Sequence, residues 1–308
     1  LDETNAVYSL LGSKSPQDSN YECGSGDGIL TRAQEDAEEN IAMIPDWEIK
    51  SFESSATSLS IDNSGNLYVV GKKIRKFNSE GEEDLSWNKS FYTEAYGVDT
   101  DSSDNVYVVG HSRKKTINDV SYNTTQMHSD WEVVKYSPSG DELWSKTLDG
   151  GYWRWNEASG SDVATSVVVD SQDNIYVSGY GGNIYNNQYP GLNGWIRKYD
   201  SEGNPFLWES IFSANSKVTI DSSVVDSQDN LIIGGSDAVL YDHTNYYDYF
   251  VKKYNSEGAG SWGEIYDPSN TKSERIFSVA VDSNDNVYFA GQTFSSYPLI
   301  KKFSSSGH

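Results

Sequence analysis

Short runs of alternating apolar and polar residues, each closed by a glycine, dominate the chain. The segments IDNSGNLYVVG (61–71), TDSSDNVYVVG (100–110), VDSQDNIYVSG (169–179), VDSQDNLIIGG (225–235) and VDSNDNVYFAG (281–291) follow one pattern. In each, an Asp (Asp62, Asp101, Asp170, Asp226, Asp282) precedes a Gly (Gly71, Gly110, Gly179, Gly235, Gly291) at the same spacing. Two apolar stretches around a polar tetrapeptide predict two antiparallel strands joined by a tight turn. A second block follows after a variable insert: KIRKFNSEG (73–81), EVVKYSPSG (132–140), WIRKYDSEG (195–203), VKKYNSEG (251–258) and LIKKFSSSG (299–307). It predicts a third strand carrying a Lys and then an aromatic. Trp87, Trp144, Trp208 and Trp262 mark a fourth. Four antiparallel strands, A to D, recurring five times predict an all-β fold, a five-bladed β-propeller.

The fifth copy ends just after its strand C, while PDWEIKSF (45–52), with Trp47 and Phe52, has the pattern of a strand D ahead of the first strand A. This predicts a ring closed by the N-terminal strand completing the last blade, which removes the unpaired edges. The domain organisation expected is an N-terminal extension over 1–44 and the propeller over 45–308. Within the extension, Thr31 with Gln34 reads as a capping box, Ala33, Ala37, Ile41 and Ile44 share a face, and Pro45 ends the run, so a short helix is expected. Its other face is acidic, with Glu35, Asp36, Glu38 and Glu39. The apolar knot Val7 to Leu11 is suited to packing on its own propeller or to joining a neighbour's edge. No basic, then apolar, secretory leader is found at the start.

The VDSxDNxYVxG and [IV]xKYxxxG blocks resemble the extracellular β-propeller repeats called SBBP and, less closely, NHL repeats. The resemblance spans roughly residues 46 to 308. It implies a propeller and a secreted or cell-surface location, and no particular chemistry, because propellers host unrelated functions.

Composition narrows the partners. Of 308 residues, 46 are Asp or Glu against 23 Lys or Arg, a net charge of −23, which argues against nucleic acid or an anionic membrane surface. No apolar run is long enough to span a bilayer. The single Cys cannot form an internal disulfide, and no Cys/His set has zinc spacing. Aromatics are abundant, with 22 Tyr, 10 Phe and 9 Trp. Those on strand D are expected to fill the space between blades.

Strand direction sorts the connections. A–B and C–D turns share one face, where they are short and uniform; B–C and D–A loops share the other, where they vary. The variable B–C loops cover His111 to Asp130, Tyr180 to Gly194 and Ser236 to Tyr249. Tyr152, Trp153, Trp155, Tyr180, Tyr246 and Tyr247 are the candidate ligand-binding residues of this face, with Trp153 and Trp155 pointing the same way if extended. Aromatic faces beside Asp, Asn and Gly suit carbohydrate. The same aromatics also suit packing of long loops.

Chemistry beyond binding finds less support. Asp99 is a charge on strand A where the other copies have Ser60, Val168, Val224 and Ala280, and Asp162, Asp221 and Glu274 lie near other strand A starts. They could form a glycosidase set, or merely line a solvated channel. No catalytic residues are expected. The turn Asp residues read as Asx turns, no cofactor is called for, and a calcium near Asp99, Asp101 and Asp104 stays open. Lys76, Lys135, Lys198, Lys253 and Lys302 are expected to cover the adjacent aromatic and pair an acid. Asn88 and Asn123 head glycosylation sequons. The functional expectation is a non-catalytic secreted or surface module binding a glycan or a surface protein. The alternatives are a structural subunit of a filament or surface assembly, joined through its N-terminal extension into a homo-oligomer or polymer, and a polysaccharide hydrolase or lyase.

Overall fold

The computed structural model describes the chain except residues 1–6, 13–27, 35–43, 50–54, 88, 92–93, 113–114, 120–123, 149–161, 183–191, 205–206, 213–216, 242–243, 267–273, 294–296 and 308. The N-terminal sheet is formed by β1 (Val7–Gly12), β2 (Gly28–Gln34) and β3 (Ile44–Ile49). Blade 1 follows with β4 (Ala56–Ile61), β5 (Leu67–Gly71), β6 (Lys73–Phe77) and β7 (Lys89–Ser90). Blade 2 comprises β8 (Glu94–Thr100), β9 (Val106–His111), β12 (Trp131–Tyr136) and β13 (Glu142–Leu148), with a hairpin of β10 (Lys115–Asp119) and β11 (Thr124–His128) in its B–C connection. Blade 3 comprises β14 (Val163–Val169), β15 (Ile175–Gly182), β16 (Leu192–Tyr199) and β17 (Trp208–Phe212). Blade 4 comprises β18 (Lys217–Val225), β19 (Leu231–Tyr241), β20 (Thr244–Tyr254) and β21 (Gly260–Tyr266). Blade 5 has β22 (Arg275–Val281), β23 (Val287–Gln292) and β24 (Pro298–Phe303). The chain is thus a five-bladed β-propeller of antiparallel sheets.

Two expectations for the N-terminus are corrected. The span expected to start a helix at Thr31 is instead strand β2, and residues 35–43 lie outside the described residues. Leu30 and Thr31, paired on both sides by β1 and β3, with the β-favouring Ile29 paired to β1, outweigh the local capping pattern. The expected closure is also not what forms. Strand β3, with Trp47, pairs with β2, and among the described residues the sheet of blade 5 has three strands. A short hydrophobic strand takes the partner nearest in sequence, because the shorter loop costs less entropy to close.

Each A–B turn is organised by its Asp. Asp101 Oδ1 accepts from the backbone N–H of Ser103 (3.0 Å) and of Asn105 (2.9 Å), and both carboxylate oxygens accept from the Asn105 amide. The third residue after that Asp adopts the left-handed region: Asp104 (φ 61), Asp173 (φ 62), Asp229 (φ 60) and Asp285 (φ 59), with Gly65 (φ 78) in blade 1. These left-handed Asp residues tie neighbouring blades together. Asp104 accepts from Asn63 and Ser64 of blade 1, Asp173 from Ser102 of blade 2, Asp229 from Ser171 of blade 3, and Asp285 from Ser227 of blade 4.

A second joint lies further out. The indole N–H groups of Trp87, Trp144, Trp208 and Trp262 donate to the carbonyls of Pro138, Ser201, Ser256 and Ser305 at 2.9, 3.3, 3.0 and 3.3 Å, each in the C–D turn of the next blade. Lys76, Lys135, Lys198 and Lys253 donate to the same four carbonyls. The turn glycine lies under the indole. At Gly203 (φ +72) a Cβ would sit 3.0 Å from the Trp144 ring, so both backbone and packing demand glycine. Trp144, Trp208 and Trp262 on strand D therefore do fill the gap between blades, as does Trp87, which lies not on the strand but in the 3-10 turn Leu85–Trp87 ahead of it.

Apolar cores form between blades rather than within them. Tyr68, Val70, Ile74 and Trp87 of blade 1 pack with Ala95, Val98, Val106 and Val108 of blade 2, and blades 2 and 3, 3 and 4, and 4 and 5 repeat the arrangement. Alternation along each strand sends one set of side chains forward to the next blade and the other backward. The backward set of blade 1, Leu67, Val69 and Phe77, is buried as well.

Candidate functional site

The recurring lysine cation sits over the strand B tyrosine, not over the aromatic next to it in sequence. Lys135 Nζ lies 4.8 Å from the Tyr107 ring centroid and 3.1 Å from Asp101, and Lys198 lies 4.5 Å from Tyr176 and 2.9 Å from Asp170. The two residues face each other across the B–C pair, so register brings them together where adjacency would not. Tyr107 in turn donates to Asp101 at 3.1 Å, and burial first, then the Asp101 carboxylate, holds that phenol well above its ordinary range, so it stays a donor. Of these groups Asp101 and Asp170, with Asn63, Ser102, Ser171 and Asp173, line a small cleft on the uniform face. The cleft's donors and acceptors are matched to one another by the joints just described.

The inner strands are joined by a similar device. Asp99 accepts from Ser60 of blade 1 (3.1 Å), from the backbone N–H of Thr100 (2.9 Å) and from the N–H of Val169 in the neighbouring blade 3 (2.8 Å). It is a clamp on three inner strands rather than one of several acids in a wet channel. Burial pushes its carboxyl above the usual range, against the pull of those three donors. Small residues let the strands meet: the Ser223 and Ser166 hydroxyls are 2.7 Å apart, and Ser222 accepts from the Val279 N–H. Among the described residues, no group of three or more His, Cys, Asp or Glu is placed to hold a metal ion.

The variable face is different. Every strand A carries a bulge at one place, between Ala56 and Ser58, Ala95 and Gly97, Ala164 and Ser166, Ile220 and Ser222, and Ile276 and Ser278. A bulge kinks the strand and re-aims the extra residue. Those residues are Thr57, Tyr96, Thr165, Asp221 and Phe277. In blades 1 and 3 the threonine is structural: Thr57 donates to the carbonyls of Val70 and Ala95, and Thr165 to those of Ser178 and Ile220, tying each blade to the next. Blades 2, 4 and 5 replace the clamp with a phenol, a carboxyl and a phenyl ring.

These substituted positions make a polar and aromatic mouth around the inner strands. The Tyr96 hydroxyl donates to Glu94 at 3.3 Å, its ring lies 5.7 Å from that of His111, and burial, then Glu94 and Tyr180, raise it to about 12. Tyr180 is raised by burial and by Asp221 across the blade boundary. Asp221 lies 3.4 Å from the Thr219 hydroxyl, and burial lifts its carboxyl to about 6 although Arg275 of blade 5 pulls the other way. Phe277, at the equivalent bulge of blade 5, is an apolar ring 54% exposed.

Of the residues singled out from sequence, Tyr180 and Asp221 belong to this mouth. Tyr246 and Tyr247 lie in β20, paired with Val239 and Ala238: the span Ser236 to Tyr249, expected to be a loop, is the continuation of the β19–β20 hairpin, favoured by its β-branched and aromatic residues. Tyr152, Trp153, Trp155, Asn88 and Asn123 lie outside the described residues. Trp131 and Trp195 are buried, and Trp131 donates to the Tyr180 carbonyl. Asp162 is buried in the seam between blades 2 and 3, its N–H on the Ser129 carbonyl. Tyr96, His111, Arg275 and Phe277 escaped the sequence reading. Their signal was present, since the residue before each small channel residue is the one that varies in chemistry.

No protein-family model matches the chain, and no curated protein does. Solved structures align with it at low similarity. The extracellular domain of the hybrid two component system BT4673 from B. thetaiotaomicron aligns at 10% identity with a TM-score of 0.45, over 88% of this chain and 31% of that one. The Dos1 propeller aligns at 12% identity and a TM-score of 0.48, over 96% of this chain and 66% of that one. The WD40 propeller domain of Doa1 aligns at 13% identity and a TM-score of 0.41, over 90% and 86%. The chain thus spans about a third of the first and under two thirds of the Dos1 chain. No helix among the described residues is long and apolar enough to cross a membrane.

Proposed function

We propose that this chain is a non-catalytic binding module of the secreted or cell-surface kind, built of SBBP-like repeats, whose ligand is a carbohydrate held at the mouth of the variable face. The observation that carries the reading is the recurring bulge. At one structurally equivalent place, two blades keep a threonine that ties blades together, and three give it up for Tyr96, Asp221 and Phe277. Giving up a joint is costly to the scaffold, so the replacements point to a use outside it. An exposed phenyl ring covers the C–H face of a sugar, while Asp221, the Tyr96 hydroxyl and Arg275 take its hydroxyls. A net charge of −23 favours neutral glycans over polyanionic ones.

A glycan array followed by calorimetry on the best hit tests this. Asp221→Asn and Phe277→Ala should each weaken binding by about 10- to 100-fold, the range of one charged hydrogen bond or one stacking contact. An array without hits, or binding indifferent to both substitutions, overturns the proposal.

A further inference from the structure

The indole N–H groups of Trp87, Trp131, Trp144, Trp208 and Trp262 each donate to a backbone carbonyl. That of Trp195, on β16 of blade 3 and only 3% exposed, finds no acceptor among the described residues. Two residues away on the same face of the strand, Asn193 is 1% exposed, and neither its amide nitrogen nor its amide oxygen has a partner there. Buried polar groups are normally hydrogen-bonded, so three orphaned atoms on one strand face point to a ligand.

Neighbouring residues converge on the same spot. Opposite Trp195 and Asn193 on the middle strand stand Gly179 and Gly181, which put no side chain there. A Cβ at Gly181 would lie 2.6 Å from Asp162 Oδ1 and 3.3 Å from Trp195 Nε1, so a carboxylate oxygen and the orphaned indole N–H meet over that glycine. Blade 2 supplies a further group. The Ser129 carbonyl accepts the Asp162 N–H at 2.9 Å, and the Ser129 hydroxyl, 1% exposed, is also without a partner among the described residues. None of this belongs to the repeat. Opposite the glycine that closes the strand B pattern, where blade 3 has Trp195, blades 2, 4 and 5 have Glu132, Phe250 and Leu299. Two residues beyond that glycine, where blade 3 has Gly181, blades 2 and 4 have Ser112 and Asp237. The joints of the scaffold therefore do not account for the set.

We infer that this seam between blades 2 and 3 is a binding site for a small uncharged molecule carrying hydroxyl groups, a free sugar or polyol, held by Asp162, Asn193, Trp195 and Ser129. The orphaned atoms select that class. A metal cation would suit Asp162 and the Asn193 oxygen but leave the indole and amide N–H groups unmet. An anion would take those N–H groups and stand against the Asp162 carboxylate, in a chain of net charge −23. A hydroxyl donates and accepts at once. Neighbouring hydroxyls give their protons to the Asp162 and Asn193 oxygens and their lone pairs to the Trp195 and Asn193 N–H groups. The site uses none of the bulge residues and does not rest on the reading of the mouth.

The test titrates ¹⁵N-labelled protein with glycerol, glucose, galactose and N-acetylglucosamine and follows the Trp195 indole N–H by NMR, the resonance being assigned by its loss in Trp195→Phe. At least one of the four should move that resonance saturably, and Asn193→Leu should weaken the same ligand by about 10-fold or more. Asn193→Leu removes an amide that the fold leaves unpaired and nearly keeps its volume, so without ligand its melting temperature should match or exceed that of the parent. A marked loss would mean that the fold itself holds the amide, and would overturn the inference. A resonance that none of the four moves at roughly 0.1 M would do the same, as would a Trp195 N–H with a nuclear Overhauser effect to water and none to the added molecules, which is a seam filled by solvent only. The glycan array reads the mouth through Asp221 and Phe277, so either reading can fail alone.

Discussion

Ser102 of blade 2 donates both its backbone N–H (2.9 Å) and its hydroxyl (2.7 Å) to the carboxylate of Asp173, the left-handed residue of the blade 3 turn. Asp173 therefore does two jobs, one for its own turn and one for its neighbour. Replacement by Gly should cost only the lost hydrogen bonds, about 1–2 kcal/mol at this exposed site. Replacement by Ala adds the strain of a Cβ at positive φ, roughly 1 kcal/mol more. Urea denaturation of both variants measures the difference, and equal losses would deny the backbone contribution.

Lys198 and Asp170 form a 2.9 Å ion pair with side chains only 4% and 0% exposed. Lys198→Met strands the carboxylate, and the expected loss is about 3–5 kcal/mol. Removing both charges with Asp170→Asn as well should recover part of it. If the double substitution is no better than the sum of the two single ones, the pair is not coupled.

Stability should decline as the solution approaches neutrality, because buried acids, Asp221 and Glu132 among them, have raised values. Burial lifts Asp221 to about 6 and, with help from Glu142, lifts Glu132 to about 7. The folded state then binds more protons than the unfolded one, so the contribution is whole below about pH 4 and is lost as pH rises through 6 and 7. Glu132→Gln should flatten the upper part of that slope and Asp221→Asn the lower. Melting temperatures across pH 4 to 8 decide it.

Asp99 joins blades 1, 2 and 3 through Ser60, Thr100 and Val169. Asp99→Ala leaves the Val169 N–H without its acceptor among the inner strands, and should cost about 2–3 kcal/mol. Binding at the mouth should survive. A parallel loss of glycan binding at temperatures where the variant is folded would reassign Asp99 to the site.

The blades were legible because each is written out again in every copy: the turn Asp, the glycine at the end of strand B and the strand D tryptophan all answer local demands of turn and joint. The N-terminal sheet was not, because the spacing of Thr31 and Gln34 imitates a helix start and only pairing with β1 and β3 makes that span a strand. The mouth was half legible. Asp221 drew notice as a charge, whereas Tyr96 and Phe277 look like ordinary strand aromatics until the bulge turns them. Asp99 was noticed for its charge, yet its work depends on Val169, a residue of another blade that sequence cannot place beside it.

The joints between blades use the same atoms each time: an indole and an ammonium on one carbonyl, and a serine on a left-handed aspartate. None of these reads the identity of the blade it holds. Blades can therefore be duplicated, lost or exchanged without inventing a new contact, and the length of the row becomes a quantity that recombination can tune. The bulge residues travel with their blades. Shuffling the order would rewrite the chemistry of the mouth while leaving these repeated joints intact.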